Sequence, residues 1–270
     1  RARSLWRQGH AFFAVYLVLA TAFAGAASAA DYTARQLTEI FYKARSGDNL
    51  DFSGKDLSFL DLAGLDFKQA RLSHSNLHGV DLTKADLQGA DLAGVTLDRA
   101  IVVKANFSGA NLEGASMMRP SVYTTLAFNR SDAPKFAGAR LKGIRITARL
   151  DGADFRGADL SGARLGPHEP RADLSSLPAT VMQGCDFSGA ILTGADLTWA
   201  KFMFSKFVGA DLSYTRLIGA DLSRVDLSGA DLTGANITDA DFDGAILAGV
   251  KGLDTAIGFD TIKNYDRAIR

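Results

Sequence analysis

The chain has 270 residues, of which 47% are hydrophobic and 22% charged, and its 30 basic residues balance 30 acidic ones. This zero net charge gives no whole-chain sign of binding to nucleic acid or to an anionic membrane surface. A single Cys excludes an intrachain disulfide, so stability has to come from packing.

Residues 1–29 have the features of a secretory signal peptide. Three arginines precede an apolar run at residues 11–24, and an A-x-A pattern of small residues ends at Ala29. The run is shorter than the roughly 20 residues that a membrane-spanning helix needs. We therefore predict cleavage and export, with the bacterial periplasm as the destination. An uncleaved anchor at residues 11–24 facing the periplasm, and delivery to a thylakoid lumen, are the alternatives.

Residues 30–48 are predicted to form an N-terminal capping helix. Leu37, Ile40 and Phe41 stand at helical spacing within residues 33–45, and Gly47 is a plausible stop. Such a helix would cover the apolar end of the structure that follows.

Residues 49–251 are organised in groups of five. From Cys185 onward the chain reads CDFSG AILTG ADLTW AKFMF SKFVG ADLSY, with a large apolar residue third in each group and a small residue first. A spacing of five scatters these residues around an α-helix and sends successive ones to opposite faces of a flat strand. The pattern is buried if the chain bends once per group, with the small and large residues inward and the last two at a corner. Four bends close a square, and successive coils then pair like neighbouring strands.

The pattern A-(D/N)-L-x-x, in runs such as ADLQG–ADLAG and ANFSG–ANLEG, resembles the pentapeptide-repeat family. The resemblance covers about residues 50–250. It implies an all-β fold, a right-handed quadrilateral β-helix, and we expect short helical caps at its ends.

The period fails in two places, which we predict to be breaks at 123–134 and 166–184. Between Ile146 and Leu150 the pattern also slips by one residue, as expected from a one-residue deletion at a corner. Residues 252–270 are predicted to form a C-terminal cap, with a short helix around Leu253, Ile257, Phe259 and Ile262.

Candidate catalytic groups are few. His74 and His78 fall near corners of successive sides, Cys185 occupies a small inward position where it should be buried and inert, and the abundant Asp residues follow the repeat. We predict no enzymatic activity, no cofactor and no metal. The enzyme alternative requires a pocket under the 166–184 loop, with His168 and Glu169 facing the solenoid.

The predicted function is that of a protein-interaction or scaffold module, with another, unidentified protein as its partner. One candidate surface replaces small corner residues by Trp199, Met203 and Phe204, with Tyr214 nearby, and exposed aromatic residues typically mark contact surfaces. The alternative is that the 166–184 loop, through Leu177, Val181 and Met182, covers them. A second candidate surface is a basic stretch with Arg140, Arg145 and Arg149, followed by an acidic C-terminal part.

One branch of the family binds type II topoisomerases by displaying acidic rows that mimic DNA. Residues 20 apart should stack, and two of the resulting rows are interrupted by a base: Asp186, Lys206, Asp226 and Asp196, Arg216, Asn236. Mimicry of a polyanion needs a continuous negative potential, and an exported protein does not meet a cytoplasmic enzyme. DNA mimicry is therefore the alternative function, and we expect no nucleic-acid partner.

Overall fold

A computed structural model describes residues 30–45, 47–122, 129–166 and 180–270. The predicted signal peptide lies outside these residues, as do parts of both breaks. No helix within the described ranges has the length and apolarity needed to span a bilayer.

Helix α1 (Ala34–Lys43) covers the N-terminal end of the structure. Thr33 begins it with a capping box, since its hydroxyl accepts from the Gln36 N–H and the Gln36 side chain accepts from the Thr33 N–H. Leu37 and Phe41 are fully buried, whereas Ile40 is 36% exposed and does not belong to the packed face. The helix is thus shorter than the predicted 33–45, and Phe41 packs against Phe52 and Phe67 of the first coil.

The predicted solenoid is a right-handed quadrilateral β-helix. Parallel bridges join residues 20 apart, such as Asp51 to Arg71 and Arg71 to Asp91, and together they define ten coils. The coils span residues 51–70, 71–90, 91–110, 111–139, 140–158, 159–190, 191–210, 211–230, 231–250 and 251–270. At a strand spacing of about 4.8 Å the rod is on the order of 40 Å long.

Each coil has four sides, which we number from the side that begins at Asp51. The second, third and fourth sides begin in the first coil at Asp56, Asp61 and Asp66. An edge carries the number of the side that it follows, so the third side lies between the second and third edges. Within the described ranges, regular strands occur only on the second side, where β1 (Ser116–Met118) pairs in parallel with β2 (Arg145–Thr147).

The interior is filled by the small and large residues of every pentad, as predicted. The large ones are almost all fully buried, from Leu57 in the first coil to Phe242 in the ninth. On the fourth side five phenylalanines stack nearly parallel, with ring centroids 4.6–5.1 Å apart: Phe107, Phe136, Phe155, Phe187 and Phe207. This stack makes the fourth side of the interior a continuous apolar column.

The slip and the breaks lie at corners. The bridge positions Arg145 and Arg149 are four residues apart, which confirms a one-residue deletion at the second edge of the fifth coil. The first break leaves the rod at the third edge of the fourth coil, after the bridge at Ser121, and the chain re-enters at Lys135. The second break leaves at the second edge of the sixth coil.

The predicted bounds of the second break, 166–184, are too wide. Val181 bridges Arg149 and Lys201, Met182 is fully buried, and Gly184 turns the next corner with φ +63°. The regular pentad therefore resumes at Thr180. The sequence VMQG hides it because Met replaces Leu at the large inward position.

The C-terminal cap is a wider coil rather than an α-helix. Its bridges fall at Lys251, Ile257, Lys263 and Ile269, six residues apart. The extra residue on each side lengthens the corners, and two of them form single-turn 3-10 helices, Phe259–Thr261 and Tyr265–Arg267. Ile257 bridges outward and is 58% exposed, which explains why a helical reading of its spacing fails.

Candidate functional site

The corners of the coils differ in which residue carries the strained backbone. At each regular corner the second turn residue has φ near +60°, a conformation that glycine adopts without steric penalty. Twelve such positions in the regular coils hold another residue. Nine of the twelve lie on the second and third edges: Phe59, Lys84, Arg99, Lys104, Arg119, Trp199, Phe204, Arg224 and Asp239.

The other two edges are nearly all glycine at this position. The fourth edge has glycine in every regular coil after Gln69, and the first edge departs from glycine only at His74 and Tyr214. A left-handed conformation costs a residue with a side chain about 1–2 kcal/mol. Strain of this kind persists where the side chain has a role, so the borders of the third side are the candidate functional region.

Trp199 lies at the second edge of the seventh coil and packs along the rod. A Cβ atom on Gly219, one coil further on, would lie only 2.5 Å from Cζ3 of Trp199. The indole therefore rests on the backbone of Gly219, and the absence of a side chain there is required. Trp199 nevertheless keeps 40% of its surface exposed, so the packing leaves much of the ring available for contact.

Phe204 lies at the third edge of the same coil, on the opposite border of the third side. It is 52% exposed, and the guanidinium of Arg224 lies 5.5 Å from its ring centroid, a cation–π contact. Met203 precedes it in the turn, and its sulfur lies 3.6 Å from the Gln183 amide nitrogen. Trp199 and Phe204 thus flank the segment that begins at Lys201.

Tyr214 does not belong to this region. It lies at the first edge of the eighth coil, with its ring over Gly234, and the whole second side separates it from the second edge. The four predicted residues therefore occupy three edges and do not form a single cluster. Sequence spacing misses this because every bend of the chain rotates the next pentad to another side.

The alternative that the 166–184 loop covers the aromatic corner residues can be compared with the structure only in part. Val181 and Met182 belong to the solenoid, so they do not fold over the aromatic residues. Leu177 lies outside the described residues. Gly166, the last described residue before the loop, donates its N–H to the Asp196 carbonyl, three residues before Trp199.

The first break is anchored beside the third side. Asp132 is buried and pairs with Lys104 at 3.1 Å, and the Arg130 guanidinium donates to the Gly184 carbonyl at 2.7 Å. Val103, at a turn position that is partly or fully exposed in most coils, is 1% exposed. Both breaks therefore leave the rod at the edges that border the third side.

The predicted basic residues encircle the rod. Arg140, Arg145 and Arg149 begin the first, second and third sides of the fifth coil, and Lys135 begins the preceding fourth side. Arg140 pairs with Glu113 at 2.6 Å and Arg149 with Asp151 at 2.7 Å. The stretch is thus a ring around the rod rather than one patch, since consecutive pentads face different directions.

The repeat aspartates accept hydrogen bonds within the turns. A typical carboxylate accepts a hydrogen bond from the N–H two residues later, as Asp231 does from Thr233 at 2.9 Å. The hydroxyl and N–H of Thr233 also lower the pKa of Asp231. The predicted rows are confirmed by the bridges from Asp186 to Lys206 and from Lys206 to Asp226. These contacts give the aspartates a structural role in the turns.

The remaining candidates for chemistry are also placed by the repeat. Cys185 is 1% exposed, its thiol donates to the Leu150 carbonyl at 3.1 Å, and burial raises the pKa of that thiol. His74 lies over Gly94 and His78 against the Phe59 ring. His168 and Glu169 lie outside the described residues. Among the residues that are described, no group of His, Cys, Asp or Glu is arranged to hold a metal ion.

Comparison with known sequences agrees with this geometry. A family model described as pentapeptide repeats matches in eight copies, over residues 51–89, 90–117, 135–166, 180–213 and 210–249. The chain belongs to the pentapeptide-repeat family. No curated protein sequence matches it.

Solved structures of pentapeptide-repeat proteins are similar in fold. HetL of the cyanobacterium Nostoc sp. strain PCC 7120, described as involved in regulating heterocyst differentiation, is 25% identical and covers 85% of this chain and 98% of its own, with a TM-score of 0.41. Rfr23 of Cyanothece 51142 is 25% identical over 45% of this chain and 90% of its own, with a TM-score of 0.29. Full-length QnrB1, a plasmid-mediated fluoroquinolone resistance protein, is 19% identical over 76% of this chain and 92% of its own, with a TM-score of 0.28.

Proposed function

We propose that this protein is a non-catalytic, exported scaffold that binds another protein through the third side of its solenoid. The observation that carries the proposal is the concentration of strained, non-glycine corner residues on the two edges that border this side. Glycine at the fourth edge shows that the fold itself does not require those side chains. Both breaks leave the rod at the same two edges.

Trp199 and Phe204 are the proposed anchor residues. Each is about half exposed, and each stands at one border of the third side in the seventh coil. Partly exposed aromatic residues on a rigid backbone contribute strongly to protein–protein binding, because little conformational entropy is lost when they are buried. The solenoid supplies that rigidity through its continuous ladder of backbone hydrogen bonds.

Export is the second part of the proposal. It is supported by the arginines and the apolar run of residues 1–29, and by the burial of Cys185, which keeps an unpaired thiol away from oxidants. The periplasm is the compartment that we favour. Retention of residues 11–24 as an anchor and a thylakoid location are the other destinations.

Replacement of the anchors by glycine tests the proposal. Glycine restores the common corner residue and relieves the backbone strain, so Trp199→Gly and Phe204→Gly should leave the solenoid folded although the contacts of both rings are lost. We expect the double variant, as tagged full-length protein, to lose a partner that the unaltered protein retains in cross-linked envelope fractions analysed by mass spectrometry.

Tyr214→Gly is the matched control. It removes another aromatic residue from the same backbone conformation, but on the first edge. The control should retain the partner. If it loses the partner as the double variant does, or if the double variant retains every partner, the third side is not the binding surface.

A further inference from the structure

Four arginines form a continuous strip along the second edge and the second side, in the third to sixth coils. Arg99 and Arg119 stand one above the other on the edge, since Arg99 donates its N–H to the Met118 carbonyl and Arg119 to that of Thr147. Arg145 and Arg164 bridge each other on the adjoining side. Thr147 lies two residues after Arg145, so the two pairs adjoin. We call these four residues the arginine strip.

The arginine strip is unfavourable for the isolated chain in two ways. Arg99 and Arg119 both adopt the left-handed conformation, with φ of +59° and +54°. Like charges that face each other on neighbouring strands are destabilising, and Arg145 and Arg164 form such a pair. Other coils hold Gly79 and Gly219 at the same edge and Asn76 and Asn236 on the same side, so neither feature is needed for folding.

Carboxylates offset little of this charge within the described residues, although Asp196 bridges Arg164 in the next coil and lies 3.9 Å from Arg216. Each of the four arginines is exposed, and none forms an ion pair there. The nearest acid in sequence, Asp98, accepts hydrogen bonds from the Ser116 hydroxyl at 2.7 Å and the Met118 N–H at 2.9 Å. Other arginines, such as Arg140 and Arg156, have carboxylates within 2.6 Å.

We infer that the arginine strip binds an acidic, extended polypeptide segment of the partner. The inference rests on the proposed function and adds the chemistry of what is bound. Guanidinium groups are well suited to carboxylates because they donate paired hydrogen bonds in one plane. Acidic residues at alternate positions of an extended chain lie about 6.8 Å apart, and flexible arginines on coils about 4.8 Å apart can reach them.

The surroundings favour a polypeptide over a nucleic acid. The third side next to the strip presents partly buried Ile101 and Val181, to which the apolar residues of an alternating segment can pack. Asp159 begins the first side of the sixth coil, on the other flank of Arg164. Arg140 and Arg149 flank Arg145 on the neighbouring sides but pair with Glu113 and Asp151. The basic surface without such ion pairs is therefore narrow among the described residues, whereas a phosphate backbone requires a broader one.

A variant that restores the residues of the repeat tests the inference: Arg99→Gly, Arg119→Gly, Arg145→Asn and Arg164→Asn. Because it removes strain and repulsion, its unfolding midpoint should be equal to or above that of the unaltered protein. The control variant removes four positive charges from other surfaces: Arg71→Asn, Lys84→Gly, Lys206→Asn and Lys251→Asn.

The probe is a short fluorescent peptide of alternating Glu and Val, measured by anisotropy with the full-length protein. We expect the strip variant to bind it at least about tenfold more weakly, since four charged contacts are lost, and the control variant to bind within about twofold. Added salt should weaken binding to the unaltered protein.

Two outcomes overturn the inference. One is equal binding of the peptide by the strip and control variants. The other is strip-dependent binding of single-stranded oligothymidylate at least as tight as that of the peptide, which would identify a nucleic-acid site. The proposed function fails separately, if Trp199→Gly with Phe204→Gly retains every cross-linked partner.

Discussion

Gly219→Ala should destabilise the protein more than the same change at a neighbouring corner, because Trp199 occupies the space of the new methyl group. Its Cβ atom would lie 2.5, 2.6 and 2.9 Å from three atoms of the indole ring. Favourable carbon contacts lie at about 3.5–4.0 Å, so the ring would have to move by about 1 Å. Gly209→Ala is the matched control, with φ +63° against +61° and nothing within 4 Å.

Both substitutions place alanine in the left-handed conformation, which costs about 1 kcal/mol. The additional overpacking at Gly219 costs about 1–3 kcal/mol if the ring stays close. We therefore expect Gly209→Ala to lower the stability by about 1 kcal/mol and Gly219→Ala by about 2–4 kcal/mol. If the ring instead swings away, the stabilities of the two variants will differ less and the indole will be more exposed.

Urea unfolding followed by circular dichroism measures the difference, and tryptophan emission reports the position of the ring. Trp6 is the only other tryptophan, so a Trp6→Phe background isolates the signal of Trp199. The additional loss of stability of Gly219→Ala relative to Gly209→Ala should disappear in a Trp199→Gly background, as a double-mutant cycle requires. The contact between Trp199 and Gly219 would be refuted if the two alanine variants had equal midpoints and unchanged emission. It would also be refuted if Gly219→Ala remained the more destabilising variant without Trp199.

Three other predictions concern the core, a surface carboxylate and the N-terminal cap, and a fourth concerns export. Cys185 should react with a thiol reagent only after unfolding, because burial raises its pKa and blocks access, and rapid reaction of the folded protein would contradict this. Hydrogen bonding to Arg156 lowers the pKa of Asp154, so its stabilisation is complete above the ordinary aspartate value of about 3.9 and is lost as the pH falls through the lower folded value. Asp154→Asn should therefore reduce the midpoint more at pH 7 than at pH 2, and an equal reduction at both would be evidence against it. Lys68→Met should increase hydrogen exchange in α1, since the Lys68 ammonium donates to two carbonyls at the helix end at 2.7 and 2.8 Å, while the solenoid stays protected. Mass spectrometry of the periplasmic fraction should find a chain that begins after residue 29, and a cytoplasmic chain that retains those residues would exclude export.

The sequence predicted the interior of the solenoid well because burial is repeated at every pentad. The requirement for an apolar residue at the inward positions recurs in every pentad, so one irregular residue does not obscure the pattern. The stacking of residues 20 apart and the deletion between Arg145 and Arg149 followed from the same count. Where the inward residue was atypical, as at Met182, the prediction placed the repeat boundary five residues too late.

The sequence did not predict which corner residues share an edge with the breaks. Trp199 and Tyr214 read as neighbours in the sequence, yet they stand on different edges because each bend redirects the chain. Arg119 and Arg145 are 26 residues apart, and only the coil register brings them together. The strain that distinguishes these positions is a property of φ, which residue identity alone does not reveal at a non-glycine corner.

The pentad period alone therefore determined the coiled backbone, its narrow apolar interior and the structural role of the repeat aspartates, because these depend on local spacing and burial. The tertiary structure decided which side chains meet on the surface. Which side chains meet depends on the register between coils and on where insertions and deletions change it. This long-range register determines which residues border the third side and which form the arginine strip.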